Sequence, residues 1–324
     1  MAALALLLLI GCGNDSKTRQ PKLPPAPPVA NIIVPEFNAD SAYAFVAYQT
    51  ALGPRVPNSV PHEQLRAYII NRLEGYKTKV TLQEFTETAF DGTRLQLTNI
   101  VGSFNPAATK RILLAAHWDT RPFADKDSVD KTKPIDGAND GASGVAVLLE
   151  LARVLASNEL PTVGVDMLFF DGEDYGKPEG ADRVANDRVW YCLGSQYWGK
   201  NKHVSNYSAY YGILLDMVGA KGATFYQEVH SNEFAPSIVK KVWDTSHQLG
   251  YGNYFSYKAG GAVLDDHYYV NTLAKIPMIN IIDFKPQTFF FKHHHTHGDN
   301  LECIDPQTLK AVGQTLMQVL YTEK

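Results

Sequence analysis

Four short, continuous apolar runs constrain the fold of this chain more than anything else in it. They are RILLAAHWD (Arg111–Asp119), VDMLFFDGED (Val165–Asp174), GILLDMVGA (Gly212–Ala220) and IPMINIIDF (Ile276–Phe284). Runs this short and this predominantly apolar are what strands buried on both faces of a parallel sheet show. Helical patterns separate them: GASGVAVLLELARVLAS, then NEFAPSIVKKVWDTSHQLG, and last DPQTLKAVGQTLMQVLY, opened by Asp305. Strands interleaved with helices predict an α/β fold, a three-layer sandwich around a mixed, mostly parallel central sheet. Upstream, DSAYAFVAYQTALG predicts a helix capped by Asp40 and stopped by Gly53, and PHEQLRAYIINRLEGY a second ending near Gly75. TKVTLQEFTE and RLQLTNIVGSF predict strands with alternating faces that add antiparallel edges.

The polar residues carry the functional signal. Three core runs end in acids or histidine: His117 and Asp119, then Asp171, Glu173 and Asp174, then Asp216. In an open α/β sheet such ends converge on one ligand-binding crevice. One acid after a strand is an ordinary turn residue, but three strands ending alike point to a site. Asp140 sits in PIDGANDGASG between the first two of these strands, among glycines that permit close backbone approach. Taken alone it reads as a helix N-cap; its place between acid-tipped strands makes it a ligand candidate. Glu173 and Asp174 are adjacent at a strand end, so one can hold a metal while the other moves protons. Catalytic zinc takes three protein ligands and keeps a fourth position open. Asp140, Asp174 and a histidine of the late HHHTH cluster (His293–His297) meet that count.

The composition is that of a globular domain, 45% hydrophobic and 20% charged with net charge −4, and no basic stripe suggests nucleic acid. No internal segment supplies the roughly 18 apolar residues of a membrane span. MAALALLLLIGC, although it lacks a basic n-region, predicts a signal-peptide core ending in a lipoprotein cleavage box, with Cys12 as the lipidated residue. The expected organisation is a leader over residues 1–12, a Pro-rich tether over 13–35 and one catalytic domain over 36–324. It implies a monomeric, exported enzyme anchored on the periplasmic side of a bacterial membrane or at the cell surface. Cys192 and Cys303 allow one disulfide or two free thiols.

The motifs HWDTRP, GANDGASGVAVLLELAR, FFDGEDYG, LLDMVGA, LDDH and HTHGDN, in this order, resemble those of the glutaminyl-peptide cyclotransferases. That family shares its fold with the zinc aminopeptidases. The resemblance runs from about Pro35 to the chain end. It implies one zinc per chain on Asp140, Asp174 and His295, with Glu173 as proton shuttle and Asp216 and Asp265 around the substrate amine and amide. His117 and Asp119 match the pair that serves a second metal in the aminopeptidases, with Asp119 orienting the imidazole. His294 stands where animal relatives carry a pocket tryptophan, and Asp174 where they carry glutamate. Trp190, Trp198, Phe289 and Phe291 are candidates for the aromatic wall, and Trp190 and His294 are the expected substrate contacts. His293 and His297 are expected either as loop side chains or as side chains supporting the ligands from behind. Residues 177–188, a polar insertion, read equally as a lid and as a surface loop.

The implied reaction turns the N-terminal glutamine of a peptide or protein into pyroglutamate and releases ammonia. A di-zinc aminopeptidase is the alternative, since every ligand it needs is present; Asp265 and the HWDTRP motif with its downstream Ala-Asp favour the cyclase. A binding lipoprotein that kept the fold but lost the chemistry would show gaps in the constellation, and there are none.

Overall fold

The computed structural model describes residues 33–178, 180–181 and 188–323. Residues 33–324 form one compact unit. The predicted leader, Cys12 and nearly all of the tether lie outside the described residues, as does most of the 177–188 insertion.

The strands are β1 (Lys79–Thr88), β2 (Arg94–Phe104), β3 (Arg111–His117), β4 (Gly164–Phe170), β5 (Tyr211–Asp216), β6 (Phe225–Gln227), β7 (Phe255–Ala259), β8 (Met278–Ile282), β9 (Phe284–Lys285) and β10 (Phe289–Phe290). Six make the central sheet, in the order β1-β2-β4-β3-β5-β8. β4, β3, β5 and β8 are parallel, and β1 and β2 join antiparallel at one edge. β6 pairs with β7, and β9 with β10, in two small ribbons.

The apolar runs are continuous because both faces are covered. Ile112, Leu114 and Ala116 of β3 enter one core, while Leu113 and Ala115 enter the other; β4 and β5 divide in the same way. The larger core packs under α1 (Ala39–Ala51), α2 (Val60–Gly75), α3 (Ala142–Ser157), α6 (Pro236–Gln248) and α8 (Pro306–Thr322). The smaller lies under α4 (Leu193–Lys200), α7 (Asp266–Tyr269) and the π-helical turn Val270–Ala274. The sandwich is therefore three-layered, as expected. Among the described residues no helix is long and apolar enough to cross a membrane.

Three local expectations are corrected. The N-cap of α1 is Asn38, whose side chain accepts from the Ser41 N–H; Asp40 lies in the first turn. The run Asn232–Gly250 is not one helix: Pro236 cannot continue the hydrogen-bond ladder, so α5 (Val229–Phe234) ends and α6 begins afresh. β2 does not alternate beyond Leu97, because it lies between β1 and β4 and is covered on both faces.

Candidate active site

The chain runs from β3 through α3 to β4, then returns to lay β5 on the other side of β3. That reversal is a topological switch point, where a crevice opens at the strand ends. A cavity of about 370 Å³ lies there, lined by Asp140, Glu173, Asp174, Asp216, Asp265, His294 and His295, with Lys126, Tyr191 and Phe290. Residues distant in the chain thus share one wall, and every residue expected to hold the zinc or handle protons reaches it.

Asp140 is not an N-cap. That position is Gly141, with φ +89° and no side-chain cap, so the Asp140 carboxylate is free to face the cavity. Only glycine fits: a Cβ there would sit 2.8 Å from the Asp119 carbonyl oxygen and 3.1 Å from His117 Cε1. The turn is pinned by Asp299, which accepts from the N–H groups of Asn139 (2.7 Å) and Asp140 (3.0 Å). Burial and then the charge of Asp140 push the Asp299 carboxyl up to about 7. The buried Arg55 guanidinium donates to the carbonyls of Asp136 and Gly137 beside it.

The acid pair is placed by Asp119, whose two oxygens accept from the backbone N–H groups of Glu173 (2.9 Å) and Asp174 (3.1 Å). His117 Nδ1 is 3.6 Å from Asp119 Oδ1, so the carboxylate that holds the strand end also faces the imidazole. His117 Nε2 faces Asp140 at 3.1 Å and Asp216 at 3.4 Å. Burial alone would lower the His117 pKa; the carboxylates of Asp119, Asp140 and Asp216 outweigh it and hold the ring well above its ordinary value.

Asp174 Oδ1 accepts from buried Arg121 at 3.2 Å, and Arg121 forms a bidentate pair with Asp125 at 2.8 and 2.7 Å. His295 lies between the two acids: Nδ1 is 3.4 Å from Asp125, and Nε2 is 3.3 Å from Asp174 and 3.7 Å from Asp140. A carboxylate on one ring nitrogen, with the other turned to further carboxylates, is how metal-binding histidines are oriented. The His294 ring lies tilted against those of Phe290 (centroids 4.1 Å apart) and His295 (3.6 Å). Its Nδ1 is 2.8 Å from Lys126 Nζ.

Of the proton-handling acids, Asp216 and Asp265 are buried and Glu173 is partly exposed to the cavity. Burial lifts the Glu173 carboxyl well above its ordinary value, and the charges of Asp174, Asp265 and Asp266 add to it. Burial, reinforced by Asp265 and Asp140, pushes Asp216 up to about 8, and burial also raises Asp265. Cys192 donates its thiol to Glu173 Oε1 at 3.1 Å. Cys192 and Cys303 are both free thiols, which decides between the two readings of that pair.

This donor set fits a divalent cation. Asp174 Oδ2, Asp216 Oδ1 and His117 Nε2 are buried without a hydrogen-bond partner, an arrangement that a bound cation would relieve. Among the described residues, three groups have ligand atoms within 4.8 Å of one another: Asp140, His294 and His295; His117, Asp140 and Asp216; Glu173, Cys192 and Asp265.

The aromatic wall differs from expectation. Trp190 does not line the cavity; the Arg188 guanidinium lies over its ring. Trp198 is core, Phe291 is buried and Phe289 is 65% exposed, while Phe290 and Tyr191 face the cavity. His297 is a loop side chain, its Nε2 2.8 Å from the Asp130 carbonyl oxygen, and His293 packs against Gly298, both as expected. Of the insertion, Lys177 lines the cavity, and its carbonyl accepts from the Tyr191 hydroxyl at 3.1 Å. Sequence reasoning missed Arg121, Asp125 and Asp299, although HWDTRP and HTHGDN contain the first and last of them.

The model of peptidase family M28 matches residues 99–320. A solved glutaminyl cyclase of Bacteroides thetaiotaomicron, bound to N-acetylhistamine, is 49% identical, covering 90% of this chain and all of that one, with a TM-score of 0.87. A structure described as a Zn-dependent exopeptidase from Parabacteroides distasonis is 50% identical at the same coverage and TM-score. The glutaminyl-peptide cyclotransferase of Drosophila melanogaster is 27% identical over 201 residues, 60% of this chain; the match spans 53% of that relative's length.

Proposed function

This chain belongs to peptidase family M28, and we propose that within it the protein is a zinc-dependent glutaminyl-peptide cyclotransferase acting on peptides or proteins with N-terminal glutamine. The observation that carries this reading is the match at 49% identity, over 90% of this chain, to a bacterial glutaminyl cyclase. The cavity chemistry agrees with it.

In the proposed assignment, Asp140, Asp174 and His295 hold one zinc ion per chain, which supplies Lewis-acid polarisation of the γ-amide carbonyl. Asp216 and Asp265 receive the substrate's α-amine and amide hydrogens. Glu173, the shuttle, takes a proton from the attacking α-nitrogen as its bond to the γ-carbonyl carbon forms. It returns that proton to the amide nitrogen as the carbon–nitrogen bond breaks, so ammonia leaves and a five-membered lactam remains. The raised affinity of Glu173 for protons suits a group that must accept and donate in one turnover. Nucleophile and electrophile belong to one residue, so positioning within the cavity supplies much of the rate.

One observation favours a second reading. His117, Asp140 and Asp216 form another set of converging donors, which a di-zinc aminopeptidase would use. The test of both is to incubate the protein with a Gln-initiated and a Leu-initiated peptide and read the masses, with metal content measured alongside. The cyclase reading expects loss of one ammonia from the first and no change in the second. Release of leucine by a protein holding two zinc ions would overturn it.

A further inference from the structure

His294 is buried in the cavity wall beside Asp140, with Nε2 3.9 Å from Asp140 Oδ2. Its other nitrogen, Nδ1, is 2.8 Å from the Lys126 ammonium. An ammonium has only donors, so Nδ1 must accept, and a neutral ring then carries its hydrogen on Nε2. That leaves an N–H, not a lone pair, on the side facing the acid cluster. His295 is wired the opposite way: its Nδ1 faces the Asp125 carboxylate, which leaves the Nε2 lone pair for the acids' side. The two adjacent imidazoles, with ring centroids 3.6 Å apart, therefore present opposite chemistry to one space.

We propose that His294 is a catalytic hydrogen-bond donor rather than a metal ligand. Its Nε2–H, held in that tautomer by Lys126, binds the substrate carbonyl oxygen on which negative charge develops. The inference rests on the cyclase reading. His294 donates a hydrogen bond and does not transfer its proton, so the shuttle on Glu173 is unaffected. Lys126 touches the ring and not the reacting atoms, which makes it a positioning residue. Two contacts hold it there. Its backbone N–H donates to the His295 carbonyl at 3.2 Å, and its ammonium lies 5.4 Å from the Phe290 ring centroid. The Phe290 ring also lies 4.1 Å from that of His294, centroid to centroid, so the ring cannot swing out without breaking its contacts with both Phe290 and Lys126.

The experiment uses His294→Phe, His294→Gln, Lys126→Met and Lys126→Arg. Each is measured for ammonia release from a Gln-initiated peptide, for zinc content and for melting temperature. A preorganised donor to a developing oxyanion is worth about a hundredfold in turnover. His294→Phe is therefore expected to lose about a hundredfold in kcat, with KM within about twofold and zinc unchanged. His294→Gln, whose amide can donate, should recover part of the loss, and Lys126→Arg should exceed Lys126→Met. Independently of turnover, long-range proton–nitrogen NMR correlation should show the Nε2–H tautomer of His294 in the wild type and a mixture in Lys126→Met. Full turnover in His294→Phe, or loss of its zinc, would overturn the proposal; the latter would make the ring a ligand. A wild-type protein that releases no ammonia would sink the cyclase reading and this one with it, whereas an active His294→Phe sinks this one alone.

Discussion

At the scale of single residues, this site is built from buried charges that need one another. Glu173→Gln keeps the side-chain shape but cannot accept the amine proton. General acid–base catalysis contributes about a hundred- to ten-thousand-fold, and turnover should fall by that much with zinc retained. An active Glu173→Gln enzyme would remove Glu173 from the mechanism. Arg121 is the second case. It is fully buried and joins Asp125 to Asp174, so Arg121→Met takes from both carboxylates the guanidinium they share. Breaking a buried pair in this way costs about 3–5 kcal/mol, which a urea titration would read, and weakened zinc retention should accompany it. Cys192 makes a finer point. It holds a left-handed backbone (φ +59°) so that its thiol reaches Glu173. That these acids and His295 share one cavity was legible in the sequence, because strand ends and motif order mark them. Arg121 and Phe290 were not, because their roles depend on side chains that meet only in the folded chain. Arg121 contacts Asp174, 53 positions on, and Phe290, not its neighbour Phe289 or Phe291, has the face turned inward.

At the scale of elements, short segments are locked together so that the strand ends converge. α3 lies so close to the sheet that a Cβ on Gly144 would stand 2.4 Å from the Leu215 carbonyl oxygen and 2.9 Å from the Ala116 Cβ. Gly144→Ala must push the helix outward, at about 1–3 kcal/mol, and with it the turn bearing Asp140. Reduced zinc content together with a lowered unfolding midpoint is the expected result; unchanged values for both would show that the close packing does not position the turn. The Glu228 clasp gives a pH-dependent counterpart. Glu228 caps α5, accepts from the Val263 N–H at 3.1 Å and pairs with His267 at 3.1 Å, so it ties the turn carrying Asp265 to the helix. Burial alone would raise its pKa, but His267 and the N–H groups of His230 and Ser231 hold it down to about 2. A depressed carboxyl contributes stability above its unfolded value, and that contribution disappears as pH falls through the folded one. From the ordinary 4.5 to about 2 it amounts to about 3 kcal/mol. The stability gap between wild type and Glu228→Gln should therefore be full above pH 4.5 and shrink steadily on acidification. A constant gap across that range would show that ionised Glu228 is not what holds the clasp. These clasps escape a reading of periodicity, which finds helices and strands and not the loops that fasten them. The break at Pro236 was visible in the sequence as a proline and was outweighed by the helical pattern on both sides.

At the scale of the whole molecule, the apolar runs specified the sheet because a strand covered on both faces must be apolar at successive positions, and few other structures demand that. The alternate entry of β3 residues into two cores is the physical content of that pattern. The same logic separates the catalytic unit from what precedes it: residues 1–32 contain one apolar stretch and a Pro-rich segment, with no periodic pattern that would join the sheet. We propose that Cys12 carries a lipid and that the Pro-rich stretch spaces the enzyme from a membrane surface, since polyproline segments act as semi-rigid spacers. One acyl chain binds a membrane only marginally, whereas several give stable anchoring, so the proposal makes a quantitative demand. Expressed in a bacterial host with its leader, the wild-type protein should incorporate labelled palmitate and remain with the membrane fraction after a salt wash. Cys12→Ser should take up no label and be released, while purified wild type and variant turn over a short Gln-initiated peptide at the same rate. Label in the Cys12→Ser protein, or its retention on washed membranes, would place the anchor elsewhere. A loss of turnover in that variant would show instead that the segment before residue 33 takes part in the chemistry.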